Sequence, residues 1–529
     1  MSAAIRARSS HSNAFALIAI CLAGLMFGLE ISSVPIILPD LERVLGADFK
    51  ALQWIMNAYT IACTTVLMAT GTLADRFGRR RVFVVSTVAF GLTSLLCGLA
   101  PDTHWLIVGR FLQGMAGGAI LICSIAVLSH QFPEGKARGR AFAIWGIVSG
   151  IGLGFGPAIG SAVLAVLDWR WIFLVHVPLA ALGIVLTYGA VQESRDPHAG
   201  SLDLLGILTL TAAVLGLTYA ITQGADLGIF SPIILGVAAA TLASMVAFVL
   251  VEKFHPHPMF DFSVFKIRDF SGAILGCVGM NFSYWPFMIY LPLYFSAALG
   301  YDNTTTGLLL LAYTLPYLVM PPIAQYLLLR YQARVVIPAG LFAIGLGFLL
   351  MRLGSGFGQG SGLAVLPGAL VAGIGLGLTT TPVTNMTTGS VPANRAGMAS
   401  GMDISARLIT LAINIAVMGA ILVAGIRASL RESFGTAFDA AQLRAIAERL
   451  AGGDLAAVRQ EFARLATLDA SGDIVRAALA DGFGGVMLYG GIGVWAIAAL
   501  SAVTFSRRRA VAEGSDCGSQ AGACASDGG

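Results

Sequence analysis

The sequence predicts an all-α protein that crosses a membrane many times. Of its 529 residues, 57% are hydrophobic and 11% are charged, whereas soluble domains carry about 25% charged residues. Apolar runs of about 20 residues recur between short polar loops, and about 20 helical residues cross a hydrocarbon core of about 30 Å. A transmembrane β-barrel would instead show short segments of alternating hydrophobicity. Helices are therefore the expected spanning elements.

The apolar runs predict about fourteen spans, ordered as six, then two, then six. In chain order they cover 14–35, 51–70, 82–100, 105–128, 141–165, 171–190, 204–222, 231–251, 271–295, 306–328, 335–353, 363–388, 403–425 and 483–505. The same order predicts a cytoplasmic N-terminus (1–13), an N-terminal six-helix bundle (14–190), a two-helix insert with flanking cytoplasmic loops (191–270), a C-terminal six-helix bundle (271–505) that includes an outer loop (427–482), and a disordered cytoplasmic tail (506–529).

Basic residues at the span ends predict the orientation. Lys and Arg collect on the cytoplasmic side of short loops, and every second loop holds them. They are Arg76, Arg79, Arg80, Arg81, Lys136, Arg138, Arg140, Lys253, Lys266, Arg268, Arg330, Arg334, Arg395, Arg507, Arg508 and Arg509. Both termini are therefore expected in the cytoplasm. The region 427–482 then lies outside, and its mixed charges predict one or two amphipathic helices.

The remaining polar residues argue against several other classes of protein. The net charge is +4 and the basic residues form no stripe, so no nucleic-acid partner is expected. Five of the seven cysteines lie in apolar spans, and the histidines show no metal-ligand spacing beyond His255 and His257. No metal site and no cofactor are predicted. An integral membrane enzyme would need clustered carboxylates or histidines at the membrane edge, and a receptor would need a signalling domain, which nothing after Arg509 resembles.

Two loops suggest an internal repeat. The loop after the second span reads Asp75-Arg76-Phe77-Gly78-Arg79-Arg80, and the loop after the tenth reads Arg330-Tyr331-Gln332-Ala333-Arg334. In both, a second Arg follows the first by four positions. Both hold an Arg-aromatic pair, although a match this short also arises by chance. Two related six-helix halves would explain it.

Several longer strings carry a family resemblance. They are GTLADRFGRRR (71–81), GRFLQGMAGG (109–118), GLGFGPAIG (152–160), LQWIMNAY (52–59) and DWRWIF (168–173). Together with the span count, they resemble the fourteen-helix drug:proton antiporter branch of the major facilitator superfamily. The resemblance implies two six-helix bundles with two inserted helices, a bacterial inner membrane, and proton-coupled efflux of amphipathic small molecules. Three positions depart from the family pattern: Glu30 stands for the usual Asp, Ser161 for a glycine and His176 for an Asn.

The loop at 71–81 has two interpretations. Gly71 and Gly78 allow a tight reversal, and Asp75 offers an anion at the membrane edge to Arg76 and Arg79. One interpretation is a topology signal with a turn glycine. The other, which the resemblance favours, is a cytoplasmic latch that is closed when the cavity opens outward.

Three glycines recur every four residues in the fifth span. Gly152, Gly156 and Gly160 therefore share one helix face, and Pro157 adds a local kink. This face predicts close packing against another helix. Whether it also slides as a gate stays open on spacing alone, and the resemblance to antiporters favours gating.

Arg110 lies several residues inside an apolar span. A charge there costs about 2.5–3.5 kcal/mol on insertion scales, so it needs a wet cavity or a partner. Glu30 is the clearest acidic residue within the N-terminal spans, and we expect it to carry the coupled proton while Arg110 tunes it. The alternatives are that Arg110 only bonds backbone carbonyls and that Glu30 only bonds a neighbour near the outer edge.

Aromatic and polar residues in the spans are candidate substrate contacts. They are Asn57, Gln113, Asn281, Tyr284 and Tyr313. Aromatic rings provide apolar area and attract cations, as a hydrophobic cationic compound requires. Tyr290 and Tyr294 instead predict an interfacial belt, where tyrosine is common.

The leading functional prediction is a secondary antiporter that exports an amphipathic compound in exchange for protons. Its expected partners are a small molecule, protons and the lipid bilayer, and the sequence leaves open whether a periplasmic adaptor binds. The sequence has no Gly-x-x-x-x-Gly-Lys-Ser/Thr loop for a nucleotide. An uptake symporter or facilitator is the alternative, because a fold does not fix the direction of transport.

Overall fold

A computed structural model describes residues 3–132, 136–195, 203–228, 230–255, 262–356, 361–391, 396–453, 458 and 460–505. All regular secondary structure in this part of the chain is helical. The α-helices are α1 (Ala3–Ser33), α2 (Leu38–Leu45), α3 (Phe49–Phe77), α4 (Arg79–Gly98), α5 (Thr103–Gln131), α6 (Lys136–Val166), α7 (Arg170–Leu174), α8 (His176–Ala190), α9 (Leu204–Leu227), α10 (Pro232–Phe254), α11 (Arg268–Leu293), α12 (Asn303–Tyr331), α13 (Ala333–Gly356), α14 (Gly362–Gly389), α15 (Ala396–Phe434), α16 (Ala440–Gly452), α17 (Ala463–Leu468) and α18 (Asp473–Thr504).

Helices occupy all fourteen predicted span positions. Within the described residues, thirteen helical segments are long and apolar enough to cross a membrane. The other predicted span corresponds to α3, whose 29 residues are also long enough at 1.5 Å per residue. The helices α15 and α18 extend well into the predicted outer loop, so the connection between them is only 435–472, and it contains α16 and α17. The predicted tail 506–529 lies outside the described residues.

Aspartate side chains begin several of these helices. Asp48, Asp102 and Asp302 accept hydrogen bonds from backbone N–H groups in the first turns of α3, α5 and α12. These bonds satisfy donors that have no partner inside the helix. The hydrogen bonds from Thr305 hold the pKa of Asp302 below its usual value.

The suspected internal repeat has a structural counterpart. A single residue with positive φ joins α3 to α4 and another joins α12 to α13: Gly78 at +110° and Gln332 at +65°. In each loop, the preceding Arg-aromatic pair is stacked, with the guanidinium 5.6 Å from the Phe77 ring and 5.3 Å from the Tyr331 ring. The two loops therefore share their backbone turn as well as their residue pattern.

The helices pack as two halves and a pair. In the first half α1 packs on α6, α3 on α5 and α4 on α8, while in the second half α14 packs on α12 and α13, and α18 on α11 and α13. The inserted helices α9 and α10 pack on each other, and α9 also contacts α3 and α15. The halves meet where α6 packs on α12 and α3 packs on α15.

The predicted glycine face of α6 lies against α1. A Cβ placed on Gly152 would lie 2.7 Å from the backbone oxygen of Leu25, and one on Gly160 would lie 3.0 Å from the Cβ of Ser33. The Ser32 hydroxyl donates to the backbone oxygens of Gly28 and Gly152, at 2.8 and 2.9 Å. The close packing is thus a property of the structure, whereas a gating role stays a prediction.

We expect Gly152→Val to destabilise the protein strongly, because the new side chain would meet helix backbone that cannot turn aside. Overpacking costs about 1–3 kcal/mol even where side chains can adjust. The thermal unfolding of the detergent-purified protein measures the effect. Gly146→Val on the same helix is the matched control, because a Cβ on Gly146 meets nothing within 4 Å. Equal unfolding temperatures for the two variants would contradict the packing argument.

Candidate functional site

Three ionisable side chains meet in a fully buried position between α1, α5 and α8. The side chains of Glu30, Arg110 and His176 are completely inaccessible to solvent. Arg110 Nη1 donates to Glu30 Oε1, and His176 Nδ1 lies 3.4 Å from Glu30 Oε2. The structure therefore brings together the two charged residues expected to pair and adds His176.

Arg110 also makes contacts within its own half. Its Nε donates to the backbone oxygen of Ile55 at 3.1 Å, and its Nη1 donates to Gln113 Oε1 at 2.8 Å. Its guanidinium lies 4.3 Å from the centre of the Tyr59 ring. Gln113 in turn donates to Ser94 Oγ at 2.9 Å. From the sequence, the ion pair with Glu30 and a hydrogen bond to a backbone carbonyl were alternatives for Arg110, and the structure has both. A buried charge needs a partner and hydrogen bonds to offset its desolvation.

Some hydrogen-bonding capacity in this cluster is unused. Among the described residues, Glu30 Oε2, Arg110 Nη2 and His176 Nε2 have no hydrogen-bond partner. A void of about 20 Å³ borders Arg110 together with Leu411 of the other half. A water molecule needs about 10–15 Å³ of such volume. The void can thus hold one water molecule beside Arg110, at the boundary between the halves.

A larger cavity of about 320 Å³ lies between the halves. Helices α1, α5 and α6 line one wall, and α11, α12, α14 and α15 line the other. Most of the lining is apolar, and the charged residues on the described walls are Asp403 and Arg407. Arg407 Nη2 donates to Asp403 Oδ2 at 2.8 Å and to Thr384 Oγ1 at 3.0 Å. From the sequence, Asp403 near the start of the thirteenth span is the fallback to Glu30 as the proton site, but its pairing with Arg407 was missed. An acid and an arginine four residues apart in an apolar helix are the signal that marks the pair.

The expected substrate residues lie in different environments. Asn281 lines the large cavity. Gln113 belongs to the Arg110 cluster instead, and neither it nor the fully buried Asn57 and Tyr313 lines that cavity. Asn57 has no hydrogen-bond partner for its amide among the described residues, and the Tyr313 ring packs on Phe287. The Tyr284 side chain lies outside the described part of the chain.

The predicted belt of Tyr290 and Tyr294 is wrong, because both rings are buried in the protein core. The Tyr290 hydroxyl donates to the backbone oxygen of Ile415. Gln53 Nε2 donates to the same oxygen at 3.2 Å and to the Tyr290 hydroxyl at 3.1 Å. These bonds join α3 of one half to α11 and α15 of the other.

A second contact between the halves lies on the same side of the membrane, the side that holds α16. A Cβ placed on Gly307 of α12 would lie 2.8 Å from the Cβ of Ser161 on α6, and Ser161 Oγ donates to the backbone oxygen of Pro157 at 2.9 Å. We call these two contacts, at Gln53 and Ser161, the seam. The large cavity lies beyond the seam, toward the side that holds Gly78.

The loop at 71–81 is bound to its own half. Arg80 N–H donates to Glu193 Oε1 at 3.1 Å, and Arg81 Nε lies 3.7 Å from Glu193 Oε2. The Arg79 N–H donates to the backbone oxygen of Ser194 at 2.8 Å. Arg76 is exposed, Gly71 is partly buried in α3, and the Asp75 side chain lies outside the described part. Glu193 follows α8, far from the loop in sequence, and sequence reasoning missed it.

The family is settled by a match over most of the chain. The model of the Major Facilitator Superfamily matches residues 20–402. The chain belongs to this superfamily. It is therefore a transporter of small molecules, embedded in a membrane by many helices. The suspected family and fold are confirmed.

Three relatives of the chain are bacterial proteins named for drug resistance or drug efflux. The chain is 33% identical over 414 residues to the multidrug resistance protein Stp of Mycobacterium tuberculosis, covering 78% of this chain and 76% of the relative. It is 32% identical to the puromycin resistance protein pur8 of Streptomyces alboniger, covering 77% and 81%. It is 28% identical to the multidrug efflux pump LfrA of Mycolicibacterium smegmatis, covering 93% and 96%.

Solved structures of other transporters share the fold. A bacterial homologue of the human lysosomal transporter Spinster, in an inward-facing and unoccupied conformation, superimposes with a TM-score of 0.62 at 14% identity, covering 93% of this chain and 98% of that one. A D-xylose-proton symporter gives a TM-score of 0.56 at 14% identity, covering 90% and 96%. At this identity, the likeness concerns the fold alone.

Proposed function

We propose that the protein exports amphipathic small molecules in exchange for protons across a bacterial inner membrane. The observation that carries the proposal is a fully buried carboxylate, Glu30, which pairs with Arg110 and lies 3.4 Å from His176, while a water-sized void lies between Arg110 and the other half. The names of Stp, pur8 and LfrA support efflux as the direction of transport.

Glu30 is the proposed site of the coupled proton, and Arg110 and His176 are its regulators. A guanidinium beside a carboxylate favours the ionised form, so a movement that separates the two favours proton uptake. Arg110 also bonds the backbone of α3 at Ile55. A shift of α3 against α1 would therefore change the separation of Arg110 and Glu30. Helix movement and proton exchange are coupled in this way.

The two bundles at 14–190 and 271–505 are the proposed moving units, with the insert 191–270 between them. With both termini in the cytoplasm, the side that holds Gly78 is cytoplasmic. The cavity then faces inward and the seam closes the outer side. The latch proposed for Asp75, Arg76 and Arg79 fits an inward-open state, because the neighbouring Arg80 and Arg81 bind Glu193 of their own half.

Substrate is proposed to bind in the cavity that Asn281 lines. Its largely apolar wall suits an amphipathic compound. The gating role of the Gly152, Gly156 and Gly160 face would lie in the movement of α6 against α1.

Transport in inverted membrane vesicles tests the proposal. We expect a fluorescent amphipathic dye to accumulate in the vesicles when their interior is acidic, because export in the cell corresponds to uptake in this orientation. Collapse of the pH gradient should stop accumulation. Vesicles from cells with an empty vector are the control. Dye movement in the opposite direction under the same gradient would favour the uptake symporter, and equal movement without a gradient would favour a facilitator.

A further inference from the structure

We infer that the large cavity selects amphipathic ligands with a carboxylate, which the Arg407 guanidinium binds. The inference rests on the proposed function only in that the cavity is taken as the substrate site. It departs from the hydrophobic cation expected from the aromatic residues of the sequence. The exposure and hydrogen bonding of Arg407 in the cavity wall support it.

Arg407 presents an unused donor group. Its Nε and Nη2 donate to Asp403 Oδ2 at 3.2 and 2.8 Å, and Nη2 also donates to Thr384. Nη1 contacts the Met280 sulfur at 3.9 Å, and a thioether is a weak acceptor. One edge of the guanidinium therefore remains available for a stronger acceptor.

Both residues of the pair line the cavity, but the cation is the more exposed of the two. The Arg407 side chain is 18% exposed, whereas that of Asp403 is 3% exposed. Asp403 Oδ1 is buried and has no hydrogen-bond partner among the described residues. A positively charged ligand would approach Arg407 before it reached Asp403. A carboxylate would instead complete the hydrogen bonds of the guanidinium.

The opposite wall also offers donors. Trp145 Nε1 and Ser149 Oγ on α6 line the cavity and have no hydrogen-bond partner in the described part of the chain. They lie together beside Gly24, where an added Cβ would be 2.9 Å from Trp145 Nε1. An indole nitrogen can only donate. Both donor atoms are buried against α1 behind the cavity wall, so a ligand rich in acceptors would reach them only where α6 separates from α1.

Binding of three dansyl compounds to the purified full-length protein in nanodiscs tests the inference. Dansylglycine carries a carboxylate, its methylamide is neutral, and dansyl-ethylenediamine carries an ammonium group. We expect the protein to bind dansylglycine about ten-fold more tightly than the ammonium compound, because hydrogen bonds to charged groups are worth that much. Arg407→Gln should abolish the preference, and Asp403→Asn should increase it.

Two further variants keep the result interpretable. Arg431→Gln removes an exposed arginine from the same helix and should leave the preference unchanged. The double variant Asp403→Asn with Arg407→Gln removes both charges, which guards against misfolding from an unpaired buried Asp403, and it should show no preference.

Equal affinity for the three compounds, tighter binding of the ammonium compound, no binding of dansylglycine, or an unchanged preference in Arg407→Gln would each overturn the inference. No pH gradient is used, so these outcomes are independent of proton coupling. Loss of proton-driven export with the carboxylate preference retained would overturn the proposed function alone.

Discussion

Glu30→Gln is expected to abolish proton-driven export while leaving the protein in the membrane. Glutamine keeps the shape of the side chain and can still accept the bond from Arg110, but it has no carboxylate to exchange a proton. One charge crossing 100 mV supplies about 2.3 kcal/mol, equivalent to a substrate gradient of roughly fifty-fold. Without the coupled proton, this accumulation should fall to that of empty-vector vesicles in the acidic-interior assay.

Two conservative variants separate chemistry from packing. Glu30→Asp keeps a carboxylate. The family that this sequence resembles usually has Asp at this position, so we expect the variant to retain export. His176 Nδ1 lies 3.4 Å from Glu30 Oε2. His176→Asn places the family's usual residue there and should retain export, because the carboxylate of Glu30 is kept. Full pH-dependent export by Glu30→Gln would contradict the assignment and direct attention to Asp403.

The pairing of Glu30 with Arg110 could be predicted because charged residues in apolar spans are few and costly. The sequence marked His176 only as a departure from a family pattern. Its proximity to Glu30 could not be predicted, because that distance depends on how α8 packs against α1. The spacing of Gly152, Gly156 and Gly160 predicted a packed face, but nothing in the spacing identified α1 as the partner. Sequence periodicity thus predicts which residues share a helix face, but not which helix packs against that face.

Tyr290 illustrates why the boundary between the halves could not be predicted. A helix face that meets lipid and a face that meets another helix are both apolar, so hydropathy does not distinguish them. Tyr290 therefore resembled a residue of the interfacial belt, although its hydroxyl bonds the backbone of α15. Glu193 was missed for a different reason: it lies in a short connection whose position depends on the end of α8.

The seam that contains Tyr290 must open if substrate leaves on the side of α16. Close contact at Ser161 and Gly307 would then exist in only one of the two alternating states. The two Cβ positions lie 2.8 Å apart, and a disulfide requires about 3.5–4.5 Å. A separation of roughly 1 Å between α6 and α12 would accommodate the bond. The pair is therefore a site at which one state can be locked.

We expect the double variant Ser161→Cys with Gly307→Cys to lose export completely on oxidation and to regain it on reduction. Copper phenanthroline forms the bond, mass spectrometry measures its extent, and the vesicle assay measures transport. The matched control is Gly216→Cys with Thr241→Cys, which joins the inserted helices α9 and α10 across 3.5 Å and should leave export unchanged. Cys517 and Cys524 in the tail are replaced by serine in both variants, whereas Cys21, Cys63, Cys97, Cys123 and Cys277 are buried and are kept. Because a cross-linked seam cannot open, undiminished export by fully oxidised protein would show that substrate passes without separating α6 from α12.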